Sequence, residues 1–249
     1  MKIKSKNNGI VLLKLLLVVF FSAVGHRIVN TYVWDQLKDN YKPNSIKKTF
    51  ISAKSAQYLN PDDFDKPIGP DKNHLNVNFC ISQANSFASK VVTPVNLVVG
   101  QQHSLSEKNA YHITAALHYV QDMSCPVHRI DVGEKLHNAY ELKPDAFGIS
   151  ACSDTSCPSF TEVNSKISAQ NTVLNGITTA NGSVFTSQSF KNHVLNRYNG
   201  WLNDYNAWLK NPSTGNTSKI KTRLLEDLAF ACCVSKRFWK GNNLNFWFK

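Results

Sequence analysis

The chain has 249 residues, 42% of them apolar, and a net charge of +11 at pH 7. That is enough to bury one sizeable core and too little to require a second domain. The positive charge suits polyanions, nucleic acid or an anionic lipid surface, although lysines scattered without a dense run equally serve solubility alone.

Lys2, Lys4 and Lys6 precede an almost unbroken apolar run from Leu15 to Val24, the form of a secretory leader. A membrane anchor is the rival reading, but a spanning helix needs roughly 20 apolar residues and Lys14 cuts this run short. Residues 1–23 are therefore read as a signal peptide ending at Ala23, and residues 24–249 as one domain, secreted or periplasmic. In that setting the even set Cys80, Cys125, Cys152, Cys157, Cys232 and Cys233 favours disulfides. Cys152 and Cys157 bracket a short polar loop and are expected to pair locally. No two cysteines have the two-residue spacing of a zinc ribbon.

Ile28, Tyr32, Val33 and Leu37 at helical spacing predict a first helix over 27–38, and a second is expected over 45–58. Residues 61–70, rich in proline and acids, read as a loop. The type of 75–99 is left open, with Val91, Val92 and Val95 strand-like. The clearest helix runs from Ser106 to Met123, with Ile113, Ala116, Leu117 and Val120 as an apolar stripe. A short helix is expected over 134–142, and the Ser/Thr/Asn-rich stretch 150–181 reads as loops. Two late helices, 183–209 and 219–239, flank the breaker at 211–215 and complete an all-α, single-domain helical bundle.

The chemistry concentrates in LHYVQDMSCPVHRIDVGEKLHNAYE, residues 117–141. His118 with Asp122, and His137 with Glu141, are four apart, so on helices each pair shares a face and can grip one metal ion. Zinc accepts both imidazole nitrogen and carboxylate oxygen, and His128, after Pro126 in the turn between, can reach back to complete a site. A lone helical histidine is far more often a surface or core residue. His103, His112 and His193, without an acid at ligand spacing, are read in that way. The aromatic residues Trp201, Tyr205, Trp208, Phe238, Trp239, Phe246, Trp247 and Phe248 are read as core, with a lipid or base platform as the alternative.

LHYVQDMSCPVHR resembles the LHYxGDxxxPxH signature of the zinc-dependent bacterial phospholipases C and of the single-strand-specific zinc nucleases of fungi, plants and bacteria, with Gln121 at the family's glycine. Gly25-His26-Arg27-Ile28-Val29 is similar to the family's first His-bearing helix, and Pro61-Asp62-Asp63-Phe64-Asp65 with His74 to its Asp-then-His pair. The resemblance covers about residues 21–142. It implies one zinc held by Asp63, His74, His118 and Asp122, and a second held by His128, His137 and Glu141. A third would take His26, share Asp122 and use the mature N-terminus. Asp62 competes with Asp63 for its place. In the family a tryptophan forms that N-terminus, whereas this chain has none before Trp34.

The resemblance further implies two or three zinc ions, no organic cofactor, a monomer, and phosphodiester hydrolysis by zinc-activated water with Asp63 as general base. The Leu-His-Asn-Ala-Tyr-Glu ending and the short gap from His128 to His137 are nearer the phospholipase C pattern, which implies a phospholipid substrate at a membrane surface. The nuclease alternative, with single-stranded nucleic acid as partner, draws on Gly-His-Arg-Ile-Val and the positive charge. A non-enzymatic binding protein is the third reading, resting on the absent tryptophan and the replaced glycine.

Overall fold

A computed structural model of the chain describes residues 22–52, 77–92, 105–125, 147, 149, 157–177 and 188–241. Among these residues the fold is all-α, with no strand. Seven helices follow in order: α1 (Ser22–Gln36), α2 (Asn44–Ser52), α3 (Val77–Ala88), α4 (Glu107–Ser124), α5 (Phe160–Ile177), α6 (Gln188–Lys210) and α7 (Thr214–Gly241), with a 3-10 turn at Asp39–Tyr41.

Helix α4 is the axis of the bundle, with α1, α2, α3 and α7 packed around it. Every residue from Asn109 to Ser124 is buried, so the single apolar stripe expected here is in fact a helix covered on all sides. Ala110, Ala115 and Ala116 are fully buried along it. Ser106 caps the helix, its hydroxyl accepting from the Asn109 amide at 3.1 Å. Several polar side chains inside α4 turn back on local backbone: Thr114 Oγ1 donates to Ala110 O at 2.9 Å, and Ser124 Oγ to Val120 O at 2.6 Å. Asn109 ties α4 to the chain after α3 by bonding both the amide and the carbonyl of Val92.

One segment left open is filled and one expectation about secondary structure is corrected. Within 75–99, whose type the sequence leaves open, residues 77–88 form α3, where Cys80, Ala84, Phe87 and Ala88 recur at helical spacing and are buried. Val91 is buried just past its end and Val92 is exposed. The region read as loops contains α5, eighteen residues long. Its core-facing positions Val163, Ile167, Gln170 and Leu174 follow a 4-3-4 spacing; the polar composition of the other positions marks a solvated face, not a loop. The second expected helix, 45–58, is present as α2 up to Ser52; its remainder at 53–58, the expected helix at 134–142 and the loop at 61–70 lie outside the described residues.

The late helices form as expected, and the break between them is shorter, residues 211–213. There Ser213 caps α7, its hydroxyl accepting from the Asn216 amide at 3.3 Å. Helix α7 packs on α6, α5, α4 and α1, burying Trp239 and Phe230. Trp201, Tyr205, Phe238 and Trp239 are buried, with Trp201 stacked on Tyr205 at 4.8 Å. They are core, so no lipid or base platform is built from them. Gly200 leaves room for the Arg223 guanidinium, which crosses α6 to pair with Asp204.

The expectation of disulfides throughout is also corrected. Cys80, Cys125, Cys232 and Cys233 carry thiols. Cys232 and Cys233 are consecutive on α7 and project about 100° apart, as any 3.6-residue turn requires, so they cannot face one another. Each fills the core as a small apolar group, and burial pushes the Cys233 thiol up to about 11. The Cys233 thiol donates to Ile167 O at 3.5 Å, joining α7 to α5. Cys157 is disulfide-bonded; Cys152, its expected partner, lies outside the described residues.

Candidate metal centre

Along α1, Ile28, Val29, Tyr32 and Val33 are buried against the bundle. His26 and Asn30, four residues apart near the start of that helix, share a face turned toward α4. Along α4, His118 and Asp122 occupy one face by the same spacing, with Gln121 beside them. Packing α1 across α4 therefore brings a histidine from one helix onto a histidine and a carboxylate from the other.

The ligand atoms of His26, His118 and Asp122 all lie within 4.8 Å of one another. His26 Nε2 is 3.4 Å from Asp122 Oδ1, and His118 Nε2 is 3.2 Å from Asp122 Oδ2. The two imidazoles meet at a centroid distance of 4.4 Å. His118 is 5% exposed and Asp122 1%, while the His26 side chain keeps 16% of its surface open to solvent. The group is thus sealed from the α4 side and reached past His26.

These distances fit a metal. Four N or O ligands at zinc bond lengths stand about 3.4 Å apart at the corners of a tetrahedron, and both nitrogen-to-oxygen separations here lie near that value. A carboxylate taken out of water costs several kcal/mol unless cations and hydrogen bonds compensate it. Asp122 directs each oxygen at a different imidazole, an arrangement that suits a divalent cation between them. His26, His118 and Asp122 can hold a metal ion.

Of the eight ligands expected from the sequence, these three lie in described residues, and they come together as one group. His26 and His118, which the resemblance assigns to separate ions sharing Asp122, both face that carboxylate. Asp63 (with its competitor Asp62), His74, His128, His137 and Glu141 lie outside the described residues. Two polar residues of the site carry little signal in the sequence. Gln121 stands out there only as a departure from the signature, and Asn30 only by its position four residues after His26.

Of the two described histidines read as structural, His112 is buried and His193 is half-buried. His112 packs between Phe87 and Tyr111, and burial lowers its pKa, with Lys90 and Lys108 adding to the effect. His193 lies against Phe230 at 5.1 Å, and burial, with Arg197 second, lowers its pKa to about 4. The folded protein thus keeps His193 neutral down to about pH 4, while the unfolded chain takes up the proton near 6.5. The unfolded state then binds more protons, and stability falls as pH drops from 6.5 toward 4. His193→Gln, which cannot protonate, is expected to flatten this acid limb in a pH series of thermal melts. An unchanged difference between pH 7 and pH 4.5 would refute the assignment.

No protein-family model, curated protein or solved structure matches this chain.

Proposed function

We propose that the chain is an exported zinc-dependent phosphodiester hydrolase of the phospholipase C type. One observation carries the reading: a buried carboxylate, Asp122, set between two imidazoles from different helices, inside the segment that resembles the zinc phospholipase and nuclease signature. Imidazole and carboxylate in that number suit zinc, which takes both ligand types in tetrahedral sites. Bound there, the ion would supply Lewis acidity, lowering the pKa of water and neutralising phosphate oxygens.

The chain's own residues supply position and dryness. His118 and Asp122 are held on a helix buried all round, so their donor atoms are set before any ion or substrate arrives. His26 is the most open member, so a phosphodiester would reach the site past it. Asp63 is the proposed general base that orients the attacking water.

Phospholipid is the proposed substrate because of the His137-to-Glu141 ending and the short gap before it. Phosphatidylcholine vesicles and a single-stranded oligonucleotide offered to one zinc-loaded preparation provide the test. Diacylglycerol release that disappears on chelation and returns with zinc is the expected result. Ready cleavage of the oligonucleotide with intact lipid would replace phospholipase by nuclease on the same ligands. A preparation that takes up no zinc and cuts neither would end the hydrolase reading.

A further inference from the structure

We propose that Gln121 is a positioning residue that decides which nitrogen His26 offers to the metal, through a one-way relay of hydrogen bonds anchored on a backbone carbonyl. The proposal rests on the metal-site reading above and adds a role for the residue that stands at the glycine of the resembled signature.

The relay has three links. His26 Nδ1 lies 2.5 Å from Gln121 Oε1. Gln121 Nε2 donates to Asn30 Oδ1 at 2.9 Å, and Asn30 Nδ2 donates to Ile51 O at 3.2 Å. Asn30 is 2% exposed and Gln121 4%, so each amide must find its partners within the protein.

Direction follows from the far end. A side-chain amide can be turned over to exchange its oxygen and nitrogen, so its orientation has to be argued from the network around it. The Ile51 carbonyl can only accept and cannot turn over. It therefore requires the NH2 end of Asn30, which leaves Asn30 Oδ1 facing Gln121. That oxygen in turn requires the NH2 end of Gln121, which leaves Oε1 facing His26. An amide oxygen only accepts, so the nitrogen of His26 that meets it, Nδ1, must carry the proton. The lone pair of the neutral ring is then on Nε2, the atom 3.4 Å from Asp122 Oδ1.

Metal-binding histidines commonly donate their second N–H to an oxygen that fixes tautomer and ring angle, and losing that partner typically costs about 10–100-fold in metal affinity. Here the oxygen comes from the residue next to the ligand Asp122. α4 thus supplies both a metal ligand and the group that aims the ligand contributed by α1.

The test uses the purified chain and two readouts: the His26 tautomer from 15N–1H long-range NMR correlations without metal, assigned with a His26→Gln control, and zinc affinity by chelator competition. The wild type is expected to show Nδ1–H. Gln121→Met, close in volume and without an acceptor, is expected to lose that preference and weaken zinc binding by about 10–100-fold. Gln121→Glu keeps an acceptor at Nδ1 and should retain the tautomer. Asn30→Leu leaves Gln121 in place but removes its lock, giving mixed tautomers; it also serves if Gln121→Met does not fold. A wild-type His26 protonated on Nε2, or tautomer and affinity both unmoved in Gln121→Met, would overturn the relay while leaving the metal site intact. Failure of the wild type to bind zinc, with the Nδ1–H tautomer present, would instead overturn the metal-site reading.

Discussion

Replacing Asp122 with asparagine is expected to abolish any stabilisation by added zinc and to reverse the order of stability between variant and wild type when the metal is removed. In the wild type an ion held at 100 times its Kd adds about 2.7 kcal/mol to the folded state. For a chain of this size that corresponds to a rise in Tm of about 5–10 °C. A neutral amide at this position offers no charge to offset the cation, so that rise should vanish, and with it the proposed hydrolysis. Without metal the comparison changes sign. The wild type buries a carboxylate between imidazoles at 1% exposure, a burial that costs several kcal/mol when incompletely compensated, whereas the amide escapes that cost. Melts with chelator and with zinc, run on both proteins, give four numbers. A zinc-induced shift in D122N equal to that of the wild type would remove Asp122 from the ligand set.

The second large effect lies away from the metal centre and does not depend on any functional reading. Arg197 on α6 donates through Nε to Asp227 Oδ1 on α7 at 2.8 Å, makes a further contact to that oxygen through Nη2, and reaches Gln170 on α5 at 2.9 Å. Its guanidinium also lies over the Phe230 ring at 4.8 Å. Asp227 is 6% exposed. Arg197→Met keeps most of the side-chain bulk but removes the Arg197 cation from the buried carboxylate, and breaking a buried pair from one side costs about 3–5 kcal/mol. A fall in Tm of about 6–20 °C is expected at 2–4 °C per kcal/mol. The double variant R197M/D227L, which removes both charges, should recover most of that loss. If the single variant loses less than about 1 kcal/mol, the pair is a solvent-screened contact of the kind that contributes little.

Periodicity in the sequence carried the fold wherever the apolar stripe was dense, and it failed where polar residues outnumbered it. α4 and the two late helices were legible because Leu, Ile, Val and Trp recur at helical intervals. α5 was not, because Val163, Ile167 and Leu174 are diluted by serine, threonine and asparagine on the exposed face. α3 was obscured by the β-branched valines that follow it, although Cys80, Ala84 and Phe87 set a helical spacing. At the candidate site, His118 and Asp122 were legible as a pair because four-residue spacing on one helix is a local property. The meeting of His26 with Asp122 came only from the family resemblance, because it depends on how α1 crosses α4, which no spacing within a single helix encodes. The role of Gln121 was hidden for the same reason, since its partners Asn30 and Ile51 are distant in sequence. The thiols of Cys232 and Cys233 show the limit of counting, because an even number of cysteines says nothing about which of them face each other.

The complete burial of α4 also shapes how the gene tolerates change. With sixteen successive side chains enclosed, a saturation mutagenesis library would register nearly every position between Asn109 and Ser124 as sensitive, whatever the protein does. The pattern of what is accepted separates the two kinds of position. At Ile113, Leu117 and Val120, apolar residues of similar volume should survive, because a core position asks only for shape and hydrophobicity. At His118 and Asp122, apolar residues of matching size should pass selection for folded protein and fail selection for the proposed zinc-dependent activity. A paired screen, one for abundance and one for function, would therefore draw the outline of the metal centre as the set of α4 positions on which the two selections disagree.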